Sequence, residues 1–289
     1  MEKIAVIGTG IAGMGAAHFL KDKYDICFYE KNDYAGGHTN TLTVDEGGKP
    51  VYIDSAFMVY NEVTYPNLVR LLKELDIQTK PTSMSFSVQH IPSALDYCGT
   101  GLDGLFADRR NLFNIPFIKM ILEISRFSKE AKEVLSDDKY RCFTVAAYVN
   151  EKKYNVDFVE KFLIPMSGAV WSAPADQMLN FPIVTLVRFF VNHCFLGLDG
   201  HLNWRTVVGG SRQYRDKIMA PFKGKVLLNR AVVSVQRDGN KVLVTDTTGQ
   251  RESFDKVILA SHADESLKVL ANPTPFESRL LKAFAYQSN

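Results

Sequence analysis

Blocks of apolar and polar positions divide this chain into elements. Ile4-Ala5-Val6-Ile7 is an unbroken apolar run of strand length, Gly8 through Gly13 interrupts it, and small and apolar residues from Met14 to Leu20 predict a helix pressed on that strand. Asp25-Ile26-Cys27-Phe28-Tyr29 predicts a second strand. Leu42-Thr43-Val44 and Val51-Tyr52-Ile53-Asp54, joined through Glu46-Gly47-Gly48-Lys49-Pro50, form a hairpin pattern. Apolar residues at i, i+3, i+4 and i+7 then predict an amphipathic helix over residues 65–75, with Pro66 in its first turn.

From about Thr79 to Asn203 the pattern becomes helical and aromatic. Residues 112–135 read as a long helix broken early by Pro116, with Lys129, Glu130, Lys132 and Glu133 at its solvated end, and aromatic residues crowd 158–195. Strand patterns return afterwards. Gly209-Gly210-Ser211 opens a helix, and residues 225–228, 231–237, 241–245 and 255–259 predict strands, the last of them in a parallel sheet.

Gly8-x-Gly10-x-x-Gly13 between a strand and a helix is the dinucleotide fingerprint. Gly8 serves the sharp turn, Gly10 the approach of a pyrophosphate, and Gly13 the close packing of helix on strand, while the helix-start amides of Ile11 and Ala12 favour phosphate charge. Glu30 ends the second strand at the distance where an acidic side chain accepts ribose hydroxyls. The Gly36-Gly37 pair that follows is either a second ligand-facing backbone or a plain turn before the hairpin. A net charge of +2 on 289 residues gives no reason to expect a nucleic-acid partner. Cys27, Cys98, Cys142 and Cys194 contain no C-x-x-C pair, so reduced thiols are expected rather than zinc or disulfides, and no metal-ligand cluster is recognisable. The uncharged run from Ile4 to Ala17 is shorter than a membrane span and has only Lys3 before it, so a cytoplasmic location is expected.

The fingerprint, Glu30, Gly36-Gly37-His38-Thr39, Ile53-Asp54-Ser55-Ala56-Phe57 and the Tyr65-Pro66 helix together resemble the flavin-containing amine oxidase and phytoene-desaturase-like superfamily. Trp204-Arg205-Thr206-Val207-Val208-Gly209-Gly210-Ser211 and other segments resemble its bacterial branch of predicted NAD/FAD-binding proteins, and the resemblance covers essentially the whole chain. It implies an α/β fold: a Rossmann-like FAD-binding domain from residues 1–78 and 204–268, with an interleaved helix-rich α+β substrate domain from 79–203 and 269–289. FAD is the implied cofactor. Gly8, Gly10, Ile11, Ala12 and Gly13 would face its pyrophosphate, Glu30 and Lys31 the adenosine ribose, and Gly36, Gly37, His38 and Thr39 the phosphate and ribityl region. Asp54 through Phe57, with Ala56 and Phe57 in contact, would approach the isoalloxazine ring, and the backbone near Val233 would bracket the adenine. Many relatives carry Arg where this chain has His38.

The implied activity is a flavin-dependent oxidoreductase taking a hydride from a C–N or C–C bond of a small-molecule substrate, with the aromatic insertion pointing to a lipophilic one. No catalytic residue is assigned, and the oligomeric state is left open. The alternatives are a non-catalytic flavin- or nucleotide-binding accessory protein and an NAD-dependent reductase. Leu112-Phe113-Asn114-Ile115-Pro116-Phe117-Ile118 beside Arg109-Arg110 is also a candidate for peripheral membrane contact. The superfamily carries a further cofactor-contacting segment after the last strand, so the chain as given is expected to be a C-terminally shortened form with weakened FAD affinity.

Overall fold

A computed structural model describes residues 1–99, 101–196 and 202–286. They fall into two units, one of Met1–Tyr60, Tyr65–Pro81 and the chain from Arg205 onward, the other of Asn61–Thr64 and Thr82–Trp204.

The first unit is an α/β fold built on β1 (Glu2–Ile7), α1 (Ile11–Leu20) and β2 (Tyr24–Tyr29). β1 and β2 pair in parallel, with Ile4 opposite Ile26 and Val6 opposite Phe28. Lys256–Leu259 extends the sheet beside β1 and Val226–Leu227 beside β2, both in parallel. Ile4, Ala5, Val6, Ile26 and Phe28 are all buried, as the central strands of a parallel sheet covered on both faces must be. Ile4, Val6 and Phe28 pack with Ala17 and Phe222 on one face. On the other face, Ala5, Ile7 and Tyr29 meet Val244 and Phe254 of an antiparallel sheet made of Val232–Asp238, Lys241–Asp246 and Arg251–Phe254.

β3 (Thr41–Glu46) and β4 (Lys49–Asp54) form the hairpin expected from the sequence, with Leu42 opposite Ile53 and Val44 opposite Val51. The helix Pro66–Glu74 buries Leu71 and Leu72 with Met14, Tyr214 and Ile218. Helix Pro275–Lys282, started by a capping box of Thr274 and Glu277, is held here by the Arg237 guanidinium on Glu277. The described segment from 269 groups with the first unit.

The second unit has one aromatic core. Helix Ile115–Glu130 points Phe117, Met120, Ile124 and Phe127 into it at helical spacing, against Tyr148, Phe158, Leu186 and Phe190. Pro116 does not break this helix. It occupies the first turn, where a missing N–H costs nothing, and the Asn114 side chain caps the helix by accepting from the Phe117 amide at 3.2 Å. The charged C-terminal end is also more than a solvated face. Glu130 accepts the Tyr154 hydroxyl at 3.1 Å, and Glu133 accepts from Lys152 and from the Tyr140 hydroxyl. Among the described residues no helix is long and apolar enough to cross a membrane.

No disulfide joins Cys27, Cys98, Cys142 and Cys194. Burial pushes the Cys27 thiol up to about 11, with Glu252 and Asp25 adding to the shift, while Cys142 is exposed. At neutral pH an alkylating agent should therefore modify Cys142 about a hundredfold or more faster than Cys27, since the thiolate is the reactive form. Peptide mass spectrometry after a short pulse measures both rates, and equal labelling would contradict the burial of Cys27.

Candidate cofactor site

The glycine turn after β1 is shaped by two close approaches. Gly8 has φ of 102°, its amide donates to the Tyr29 carbonyl at 2.8 Å, and a Cβ there would stand 2.8 Å from the Ala260 carbonyl oxygen. A Cβ on Gly13 would lie 2.1 Å from the Gly8 oxygen, so only glycine lets α1 rest on the turn. Gly10 is different: its Cβ position meets no atom within 4 Å. It stands at the N-cap of α1 without a side-chain hydrogen bond, and Ile11 and Ala12 after it are exposed. Open space beside uncapped helix-start amides is the kind of corner that can receive an anion.

Thr9 joins this corner to the end of β2. It is fully buried, and its amide and hydroxyl both donate to Glu30 Oε2, at 3.1 and 2.5 Å. The same hydroxyl accepts the Gly36 amide at 3.0 Å. Glu30 Oε1 accepts the Asn32 amide at 3.0 Å. A carboxylate offers about four acceptor directions. Three are in use, which leaves Glu30 one for a ligand hydroxyl. The second glycine loop closes on the first, since a Cβ on Gly37 would be 3.2 Å from Gly10 Cα.

Gly8, Gly10, Gly13, Glu30, Gly36 and Gly37 are thus brought into one corner. Around it, Lys31 pairs with Glu265 at 2.9 Å, and the hydrogen bond holds the Glu265 carboxyl below its ordinary value. His38 is exposed, whereas Thr39 is buried. Ala56, Phe57 and Val233 stand on other elements. Phe57 has φ of 50°, is half exposed and meets the edge of Tyr65 at 5.7 Å. Val233 falls where the register of its strand shifts between Val232 and Ser234, a bulge that leaves it outside the ladder and half exposed. Asp54 ends β4. It accepts from Thr41 Oγ1 at 2.6 Å and from the Ser211 amide and hydroxyl at 2.9 and 2.7 Å, tying the hairpin to helix Arg212–Met219.

Thr9 is absent from the residues the motif names, because it fills a position the fingerprint treats as free. A small polar residue between two glycines is the signal that marks it. Arg230 is a second omission: its amide donates to the Glu30 carbonyl at 2.8 Å and its guanidinium engages the buried Asp246. Burial opposes ionisation of Asp246, but bonds from Thr248 and Arg230 outweigh it and hold the carboxyl low.

Thr9→Val removes the hydroxyl that serves both Glu30 and Gly36, and should cost about 2–4 kcal/mol in unfolding free energy, as expected for two polar groups left short of a partner. Thr9→Ser should retain most of the stability. Urea denaturation of the three proteins measures this, and a Val variant as stable as the parent would contradict the linkage.

Residues 11–288 match the family model of flavin-containing amine oxidoreductases. A Mycobacterium tuberculosis protein named as a flavin-containing monoamine oxidase, AofH, is 26% identical over 313 residues, covering 99% of this chain and 64% of that protein. A 1-hydroxycarotenoid 3,4-desaturase of Flavobacterium is 51% identical over 43 residues, 14% of this chain and 9% of that one. The solved cyclohexylamine oxidase of Brevibacterium oxydans has a TM-score of 0.72 at 19% identity, covering 97% of this chain and 63% of its own, a likeness of fold. This chain spans less than two thirds of the length of these relatives. With nearly all of its residues matched, the chain belongs to the flavin-containing amine oxidoreductase family.

Proposed function

We propose that the first unit binds FAD and that the protein is a flavin-dependent oxidoreductase taking a hydride from a C–N or C–C bond of a small-molecule substrate. One observation carries this reading: two glycine loops touch at Gly10 and Gly37 while the side of Gly10 stays open. Bound FAD supplies the hydride acceptor at its N5. Gly10 and the amides of Ile11 and Ala12 hold the diphosphate charge, Glu30 offers its remaining acceptor to the ribose, and Lys31 stands beside it. Gly37, His38 and Thr39 line the phosphate and ribityl region, Ala56 and Phe57 shield the ring from water, and the bulged backbone at Val233 meets the adenine. The second unit serves as the substrate domain, and its aromatic core favours a lipophilic substrate.

Peripheral contact with a lipid surface is a second reading, on its own observation. Phe113 is 88% exposed, and Leu112, Ile115, Ile118 and Leu122 are exposed along the same segment, next to Arg109 and Arg110. The protein should co-float with anionic vesicles, and Phe113→Ser should reduce the bound fraction. Absence of binding at low salt would remove this reading.

Titration of the purified chain with FAD, followed by quenching of flavin fluorescence, tests the main reading. Gly10→Val puts a side chain into open space at a backbone φ of −62° that valine tolerates, so FAD binding should weaken by about tenfold or more while the unfolding midpoint stays put. NAD should bind far more weakly than FAD. FAD affinity that the valine leaves unchanged would overturn the assignment of the corner.

A further inference from the structure

We propose that the second unit contains a binding cavity of its own for an uncharged apolar molecule of about a dozen heavy atoms; identifying that molecule with the substrate rests on the flavin reading above. The cavity measures about 390 Å³, and every described residue of its wall comes from the Thr82–Trp204 stretch. Phe86, Tyr97, Ile124, Phe162, Met166 and Trp204 are among the residues of its wall. Packing in a protein core leaves gaps about the size of a water, so a space this large is a built feature. At roughly 30 Å³ per group, the share of a water in the liquid, it holds about a dozen heavy atoms.

The chemistry of the wall selects the ligand. Among the described residues lining it there is no Asp, Glu, Lys or Arg. The Tyr97 hydroxyl is committed to the Lys161 carbonyl at 2.7 Å. The His193 ring stacks on Phe189 at 3.8 Å and places Nδ1 3.0 Å from the Phe189 carbonyl. An ammonium ion entering such a wall exchanges water for hydrocarbon without a counter-charge, which is strongly unfavourable, so the bound form is neutral.

Backbone irregularity at the wall points the same way. Phe162 lies in the π-helical turn Val159–Leu163, and Met166 lies in helix Ile164–Trp171 directly after it. A π turn within a helix is a rarity concentrated at functional sites. Cys194, also in the wall, has φ of 55°, a conformation that costs free energy in a non-glycine residue. Both departures from regular backbone aim side chains at the same space.

Displacement of the small neutral fluorophore 2-methoxynaphthalene from the purified chain, with no flavin added, tests the cavity. Decyl alcohol should displace the probe, and decylamine, protonated at neutral pH, should do so about tenfold more weakly or worse. Ala169→Trp and, separately, Val170→Phe should reduce alcohol affinity in protein whose circular dichroism matches the parent. Failure of the alcohol to displace, or equal displacement by the ammonium form, would overturn the proposal, and this comparison needs no variant to fold. Alcohol binding in a protein that takes up no FAD would support the cavity and remove the flavin reading; FAD uptake without alcohol binding would do the reverse.

Discussion

A buried carboxylate whose partners are supplied by two different turns is the constraint on which the first unit depends. Glu30 cannot leave the interior uncompensated, because each charge-assisted hydrogen bond it would lose there costs roughly 1–3 kcal/mol. Its partners are the Thr9 amide and hydroxyl at the end of β1 and the Asn32 amide just beyond β2. Through the Thr9 hydroxyl it also fixes Gly36, and its carbonyl holds the Arg230 amide. Displacing any one of these loops exposes the others to an unpaired donor or acceptor. The ligand corner is in this sense preformed, with the open side of Gly10 as its vacancy for charge.

The second unit reaches rigidity by another route. Its core is a chain of aromatic rings in edge or tilted contact, Phe127 with Tyr148, Tyr154 and Phe158 among them. The tyrosine hydroxyls would be costly to bury alone. Glu130 and Glu133 receive them, Lys152 neutralises Glu133, and the Arg126 guanidinium lies 4.6 Å from the centre of the Tyr154 ring. Burial pushes the phenols of Tyr148 and Tyr154 well above their ordinary range, so they remain hydrogen-bond donors across the physiological pH range.

Much of the first unit is legible in the sequence because its elements carry strong local signals. A fully buried parallel strand must be apolar throughout, and positions whose Cβ would stand 2.1 or 2.8 Å from a carbonyl oxygen must be glycine, so Ile4–Ile7, Gly8 and Gly13 announce themselves. Features that depend on a distant partner leave no such mark. Pro116 looks like a breaker until Asn114 is seen to cap the helix behind it, and Glu130 and Glu133 look like solvated charge until tyrosines arrive from beyond residue 139. Asp54 sits in a segment whose resemblance points to a flavin, yet its bonds run to Thr41 and Ser211. Residues 269–286 carry no local mark of the unit they join, since their anchor, Arg237, is a long-range contact.

The parallel pairing of β1 with Lys256–Leu259 has a consequence for the order of events on the ribosome. The amide of Lys3 bonds to Asp255 across 252 residues of chain, so the sheet that supports the glycine turn cannot close until the strand Lys256–Leu259 has emerged. At synthesis rates of ~5–20 residues per second, the first strand waits roughly 10–50 s for its neighbour. The helical insertion is continuous in sequence for nearly all its length and has no such delay. Nascent β1, with an unbroken apolar run and the edge opposite β2 still unpaired, is therefore an aggregation-prone segment during that interval.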